Sequence, residues 1–241
     1  RQGIVQEIEP GFNYPRDHRT EDGIRMYFYP ELSDHGDPDT SAAMGQINGV
    51  WGWYHDAGDW DGYPSHYRVP MTLLALYDLK PENFADGDIS QTFKESADGD
   101  WIREGDNGLP DVLDEAMWLI KYYKRAKDSL IAYGYSDGGV PGYVGVDAGD
   151  GEKPSWADKR PLALKGGEMV LMTYRYAATA GWLACCLANA DPDSIYRDST
   201  DWRAEAISAY AWAENRGRDD ESNVNQSKME AAAVLYRLTA D

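Results

Sequence analysis

The segment Trp53-Tyr54-His55-Asp56-Ala57-Gly58-Asp59-Trp60-Asp61-Gly62 places three carboxylates within six positions, among tryptophans and glycines. Like charges this close repel, and each favours its neighbour's neutral form. A chain does not need such a cluster in order to fold. It suits handling protons, holding a cation, or gripping hydroxyl groups. The aromatics narrow the choice, because a ring beside a carboxylate is a way to hold a neutral, polyhydroxylated ring. Acid–base cleavage of a glycosidic bond needs two carboxyl groups in different environments. One stays ionised and takes a proton from water. The other stays protonated and gives it to the leaving oxygen. Gly58 permits a sharp backbone turn, so Asp56 and Asp59 can address one water. Spacing alone leaves a cation loop and a solvated acidic turn open beside catalysis. The EF-hand register is not met.

Other residues with metal or catalytic chemistry give weaker signals. His18, His35, His55 and His66 show no two-histidine helical spacing and no nearby cysteine, so a zinc site has little support. His55 adjoins Asp56 and is a candidate substrate contact. His18 and His66 read as surface residues. Acidic loops recur at Asp34/Asp37/Asp39, Asp86/Asp88, Asp98/Asp100/Glu104/Asp106 and Asp147/Asp150. Such oxygen-rich loops can hold a structural calcium, and Asp and Gly also simply make wet turns. No cofactor is expected to be required. The chain has no phosphate-binding Gly-rich loop and no G-x-S-x-G nucleophile elbow.

Composition excludes some partners. The formal net charge of −19 argues against nucleic acid, whose binding rests on basic residues, and against an anionic membrane. The 17 Tyr and nine Trp against four Phe favour an aromatic-lined cleft, since these rings carry a polar handle and sit at half-wet surfaces. Cys185 and Cys186 are adjacent in an apolar stretch. Neighbours on one helix diverge, so they read as small buried hydrophobes rather than a disulfide. No stretch reads as a membrane span; Met169 to Ala190 comes nearest and carries Arg175.

The elements that must position the acidic segment are helical. With 241 residues, 42% of them hydrophobic, one core is the default. Residues 1–64, rich in Gly, Pro, Asp and Tyr, read as mostly irregular. Residues 65–241 read as helical hairpins. Residues 69–77 suit a buried helix with Pro70 in its first turn. Residues 111–128 are the clearest case: Val112, Leu113, Ala116, Met117, Ile120 and Tyr123 recur on one side. Acidic residues open this helix and basic ones close it, matching the helix dipole. Residues 129–165 read as a long functional loop. Further helices are expected at 167–189, 201–216 and 226–239. No strong β alternation is visible.

Several of these residues resemble a known family. Trp53-Tyr54-His55-Asp56-Ala57-Gly58-Asp59 resembles the "GGWYDAGD" signature of glycoside hydrolase family 9, the endoglucanase-type cellulases. Tyr67-Arg68-Val69-Pro70-Met71-Thr72 resembles the start of the next helix there. Asn107-Gly108-Leu109-Pro110-Asp111-Val112-Leu113-Asp114-Glu115-Ala116 is similar to the family's "NGIPDILDEA". Lys159-Arg160-Pro161 and Met229 to Arg237 echo weaker segments in the right order.

The resemblance implies an all-α (α/α)6 toroid of helical hairpins, of which this chain matches about the first half. It implies hydrolysis of β-1,4-linked glucan, cellulose or a related polymer, with inversion. Asp59 matches the catalytic base and Asp56 the carboxylate that helps position water. Trp53, Tyr54, His55 and Tyr63 are the expected substrate contacts. The expected partners are the polysaccharide and the C-terminal half of the same catalytic domain, which carries the acid Glu. A secreted or periplasmic location is expected. Departures are the extra His55, a longer stretch from Trp60 to Val69, and the lack of the family's later motifs. Two other readings stay open: the same fold on chitosan, xyloglucan or mixed-linkage glucan, and a non-catalytic carbohydrate-binding module.

Overall fold

The computed structural model describes residues 26–30, 43–54, 62–86, 108–145, 162–190, 199–216 and 222–240, with the short strand backbones 4–5, 92–94 and 101–103. In chain order the elements are β1 (Ile4–Val5), β2 (Met26–Tyr29), β3 (Gly45–Ile47), a 3-10 turn (Pro64–Tyr67), α1 (Arg68–Leu79), β4 (Thr92–Lys94), β5 (Trp101–Arg103), α2 (Asp111–Ala132), β6 (Tyr143–Gly145), β7 (Leu162–Lys165), α3 (Val170–Asn189), α4 (Trp202–Asn215) and α5 (Ser222–Thr239). A second 3-10 turn, Pro81–Asn83, follows α1.

The helical frame is the expected one. Pro70 lies in the first turn of α1, where a missing N–H costs nothing, and Leu74 and Tyr77 bury that helix. In α2 the apolar side read from the sequence is the buried side, and Asp111 and Asp114 occupy its first turn. The helix runs on to Ala132, because Leu130 keeps the same buried register. At the centre lies α3, packed against α4 and α5. Its Ala177, Ala178, Ala180 and Gly181 are small enough for close approach. A Cβ on Gly181 would lie 2.9 Å from Val234 Cγ1 and 3.4 Å from Ala206 Cβ. Cys185 and Cys186 are buried and unbonded, as expected, and burial pushes the Cys186 thiol up to about 12.

Polar ties lock the helices together. Lys127 Nζ of α2 lies 2.5 Å from Glu205 Oε2 of α4, and the Tyr176 hydroxyl of α3 donates to the same oxygen at 2.8 Å. Arg237 of α5 pairs with Asp78 of α1, whose carboxylate also accepts from Trp182 Nε1 of α3 at 3.2 Å. The Arg237 hydrogen bond holds the Asp78 carboxyl below its usual range.

A mixed four-stranded sheet in the order β3-β2-β7-β6 is the addition that the sequence pattern did not announce. Two physical reasons explain this. The strands span only three or four residues, too short for an alternation signal. All four residues of β7 are buried, so no polar face interrupts them. The sheet divides the stretch 129–165 that reads as loop. The turn before β6 is pinned by Glu168. Its Oε1 accepts from Ser136 Oγ at 2.5 Å and from the N–H groups of Asp137, Gly138 and Gly139 at 2.9, 3.1 and 2.8 Å.

Candidate active-site rim

His55, Asp56 and Asp59 lie outside the described residues. What the structure describes is how both ends of that segment are held. On the N-terminal side, residues 51–54 lie against α2. The Arg125 guanidinium stacks 3.4 Å from the centre of the Trp51 ring and donates to the Trp51 carbonyl at 3.3 Å. Gly52 adopts a φ of 103°, open to glycine at little cost, with α2 directly behind it: an added Cβ would lie 3.2 Å from the Trp118 carbonyl.

Trp53 turns inward. Only 1% of it is exposed, and its ring meets Tyr122 at 5.9 Å. On the C-terminal side, Gly62 sits against that same indole, where a Cβ would come within 2.6 Å of Trp53 Cδ1. The Gly62 N–H donates to the Val144 carbonyl at 2.9 Å, which joins this end to β6.

Tyr54 is half-buried and ties the acidic segment to α2. Its hydroxyl lies 3.0 Å from both the carbonyl oxygen and Oε1 of Glu115. The two strongest sequence motifs therefore touch each other. Tyr63 is 42% exposed. Between Tyr54 and Tyr63 stands His66, edge-on to both rings at 6.4 and 5.9 Å. Its Nδ1 accepts the Tyr63 N–H at 3.3 Å. His66, read as a surface residue from sequence, is in fact half-buried between the two expected substrate contacts. Its place three residues after Tyr63, in a turn opened by Pro64, is the signal that could have found it.

Beneath this rim the segments that begin at Tyr67 and Met229 come together, while Lys159-Arg160-Pro161 lies outside the described residues. Arg175 of α3, 9% exposed, donates from Nη1 to the Pro64 carbonyl at 2.9 Å and from Nε to Ser227 Oγ at 3.3 Å. Its guanidinium lies 4.4 Å from the centre of the Tyr67 ring. The Tyr67 hydroxyl donates to Glu230 Oε2 of α5 at 3.3 Å. Burial pulls Arg175 below its ordinary value. The hydroxyls of Tyr122 and Tyr123 are buried and have no hydrogen-bond partner among the described residues, and burial raises both pKa values.

Sequence reasoning thus named Trp53, Tyr54 and Tyr63 and missed Glu115, His66 and Arg175 as the groups that hold the rim. Glu115 was visible as part of the second motif. Arg175 was visible as a lone charge in an apolar helix. Among the described residues no three His, Cys, Asp or Glu side chains gather as metal ligands. Apart from Asp86, the acidic loops raised as calcium candidates lie outside the described residues. Asp86 accepts the Gly108 N–H at 2.7 Å. Among the described residues no helix is long and apolar enough to cross a membrane.

No protein-family model matches this sequence, and no curated protein does. Solved structures do share its fold. A thermostable endoglucanase from Alicyclobacillus acidocaldarius superposes with a TM-score of 0.66 at 17% identity, covering 100% of this chain and 41% of that one. AaCel9A in complex with a cellobiose-like isofagomine gives 0.62 at 18% identity, with 100% and 41% covered. The endoglucanase of the termite Nasutitermes takasagoensis gives 0.53 at 18% identity, with 90% and 48% covered. The chain therefore has part of the helical-hairpin toroid of these endoglucanases and spans less than half the length of each.

Proposed function

We propose that this chain supplies the base-carrying part of an inverting glycoside hydrolase of family 9 that cleaves β-1,4-linked glucan. One observation carries the reading: Tyr54, two residues before Asp56, bonds Glu115 of the second motif, so the two segments that resemble the family meet in space. The shared fold with endoglucanases supports it.

In this reading Asp59 is the general base and Asp56 helps orient the water it deprotonates. Attack comes from the face opposite the leaving group, through an oxocarbenium-like transition state. Tyr54 and Tyr63 contact the sugar, with His55 beside them. Trp53 has no accessible face, so we assign it to support of the segment rather than to stacking. The catalytic acid is a Glu on the remainder of the toroid, because inversion needs an acid about 6.5–9.5 Å from the base with space for water between. No metal or cofactor enters a step. A polymeric substrate places the protein outside the cytoplasm, secreted or periplasmic.

The test is release of reducing ends by the full-length protein across a panel of polysaccharides. Hydrolysis of soluble cellulose derivatives or mixed-linkage β-glucan is expected. Hydrolysis of chitosan with none of these would replace the glucan reading. Binding of sugars with no turnover on any polymer would leave a carbohydrate-binding module.

A further inference from the structure

The sheet carries a row of side chains of which the reaction scheme uses Tyr63 alone. In β2 and β7, Tyr29 is the register partner of Lys165. In β7 and β6, Lys165 is the partner of Tyr143. The antiparallel bridge Gly62–Val144 then sets Tyr63 opposite Tyr143. Tyr29, Lys165, Tyr143 and Tyr63 thus follow one another across the sheet. The adjacent row, Phe28, Leu164 and Val144, is fully buried and leads to Gly62 on Trp53.

One end of the row is buried and the other is exposed. Tyr29 and Lys165 are buried at 7% and 3%, and Tyr63 is 42% exposed. Tyr143, between them, is half-buried. The Tyr63 and Tyr143 rings are nearly parallel, 12° apart, with centroids separated by 6.4 Å. Each is braced. Lys165 Nζ lies 6.0 Å from the Tyr143 ring centre, and Gly145 leaves room for that ring, since a Cβ there would lie 3.2 Å from Tyr143 Cε2. His66 stands edge-on to Tyr63 and accepts its N–H.

We propose that Tyr63 and Tyr143 form one stacking platform for a sugar ring of the bound chain, set at the C-terminal end of the acidic segment, with Tyr143 as a specificity-determining contact. The proposal rests on the saccharide reading above and adds a residue and a place to it. Two parallel, braced rings offer apolar area with little rotamer entropy to lose on binding. The apolar C–H face of a neutral pyranose fits that area. The net charge of −19 disfavours a polyanion there.

Calorimetric titration of the full-length protein with a soluble β-1,4-gluco-oligosaccharide tests this, with β-1,4-xylose and glucosamine oligomers as further probes. Tyr143→Ala is expected to weaken gluco-oligosaccharide binding about tenfold, the scale of one lost aromatic contact. Tyr143→Phe keeps the ring and should bind like the parent, while a merely structural hydroxyl would not be rescued. In turnover assays Tyr143→Ala should raise KM and leave kcat nearly unchanged. If only the xylose or glucosamine oligomer binds, and Tyr143→Ala weakens it, the platform stands and the glucan reading falls. If the gluco-oligosaccharide binds a folded Tyr143→Ala as tightly as the parent, the platform is overturned and the glucan reading is untouched. Absence of binding by every probe overturns the platform.

Discussion

Asp59→Asn in the full-length protein should lower kcat by about a thousandfold, within the range that loss of a general base produces. Affinity for a gluco-oligosaccharide should persist, because the amide keeps the shape and hydrogen-bonding reach of the carboxylate. The pH profile supports the same assignment. The parent rate should follow a bell whose acidic limb reports protonation of Asp59, and that limb should vanish in the variant. Asp56→Asn should cost less, since Asp56 orients the water without taking its proton. The tie between Tyr54 and Glu115 gives the effect its structural basis, because it holds the residues preceding Asp56 against α2. Initial-rate kinetics from pH 4 to 9 measure it. An Asp59→Asn protein with the parent rate and profile would remove Asp59 from the mechanism.

The second large effect concerns stability. Glu205→Gln should destabilise the protein by about 2 kcal/mol, less than stranding one partner of a fully buried ion pair, because Glu205 is half-buried and Asp128 stays near both lysines. Lys127 is 7% exposed, and its ammonium lies 2.5 Å from Glu205 Oε2; Lys124 lies 3.4 Å from Oε1. The neutral amide leaves Lys127 the more distant Asp128 carboxylate at 3.8 Å, while Lys124 keeps Asp128 at 2.5 Å, and it weakens the acceptor for Tyr176. The apparent melting temperature should fall by about 5 °C or more. Replacing both Lys127 and Glu205 by Met should recover part of the loss, since no buried charge is then stranded by its partner.

The pH dependence has a definite sign. Burial works against ionisation of Glu205, but the hydrogen bond and charge of Lys127, then Tyr176 and Lys124, overcome it and hold the carboxyl below its ordinary value of 4.5. As pH falls past 4.5 the unfolded chain takes up the proton before the folded one does. The parent's advantage over Glu205→Gln is therefore complete above that pH and disappears as pH drops through the lowered folded value. Thermal melts of parent and variant at neutral and acidic pH measure this. Equal midpoints at neutral pH would contradict it.

The helices were legible for a physical reason. In α2, Val112, Leu113, Ala116, Met117, Ile120 and Tyr123 recur at the helical period, and packing buries that side. Proline in the first turn of α1 and the small residues of α3 were equally readable. The sheet was not, because β7 reads Leu-Ala-Leu-Lys, and its terminal lysine is buried like the rest. A buried lysine in a four-residue strand has no local signature; only its register neighbours Tyr29 and Tyr143 give it a place. The same holds for the rim. Tyr54 and Tyr63 were visible because they flank the acidic cluster. His66 joins them through a 3-10 turn and Tyr143 through a strand bridge, and that bridge pairs residues that the sequence keeps far apart. Burial also separated the aromatics that composition could not, sending Trp53 to the core and leaving Tyr63 at the surface.

The stereochemistry of the first product tests the central claim most directly. Proton NMR during the opening minutes of β-1,4-gluco-oligosaccharide hydrolysis by the full-length protein should show the α-anomer of the new reducing end appearing before the β-anomer. A β-anomer formed first would mean a covalent, double-displacement route with closely spaced carboxylates, and Asp59 could not then be the base that activates water for direct attack.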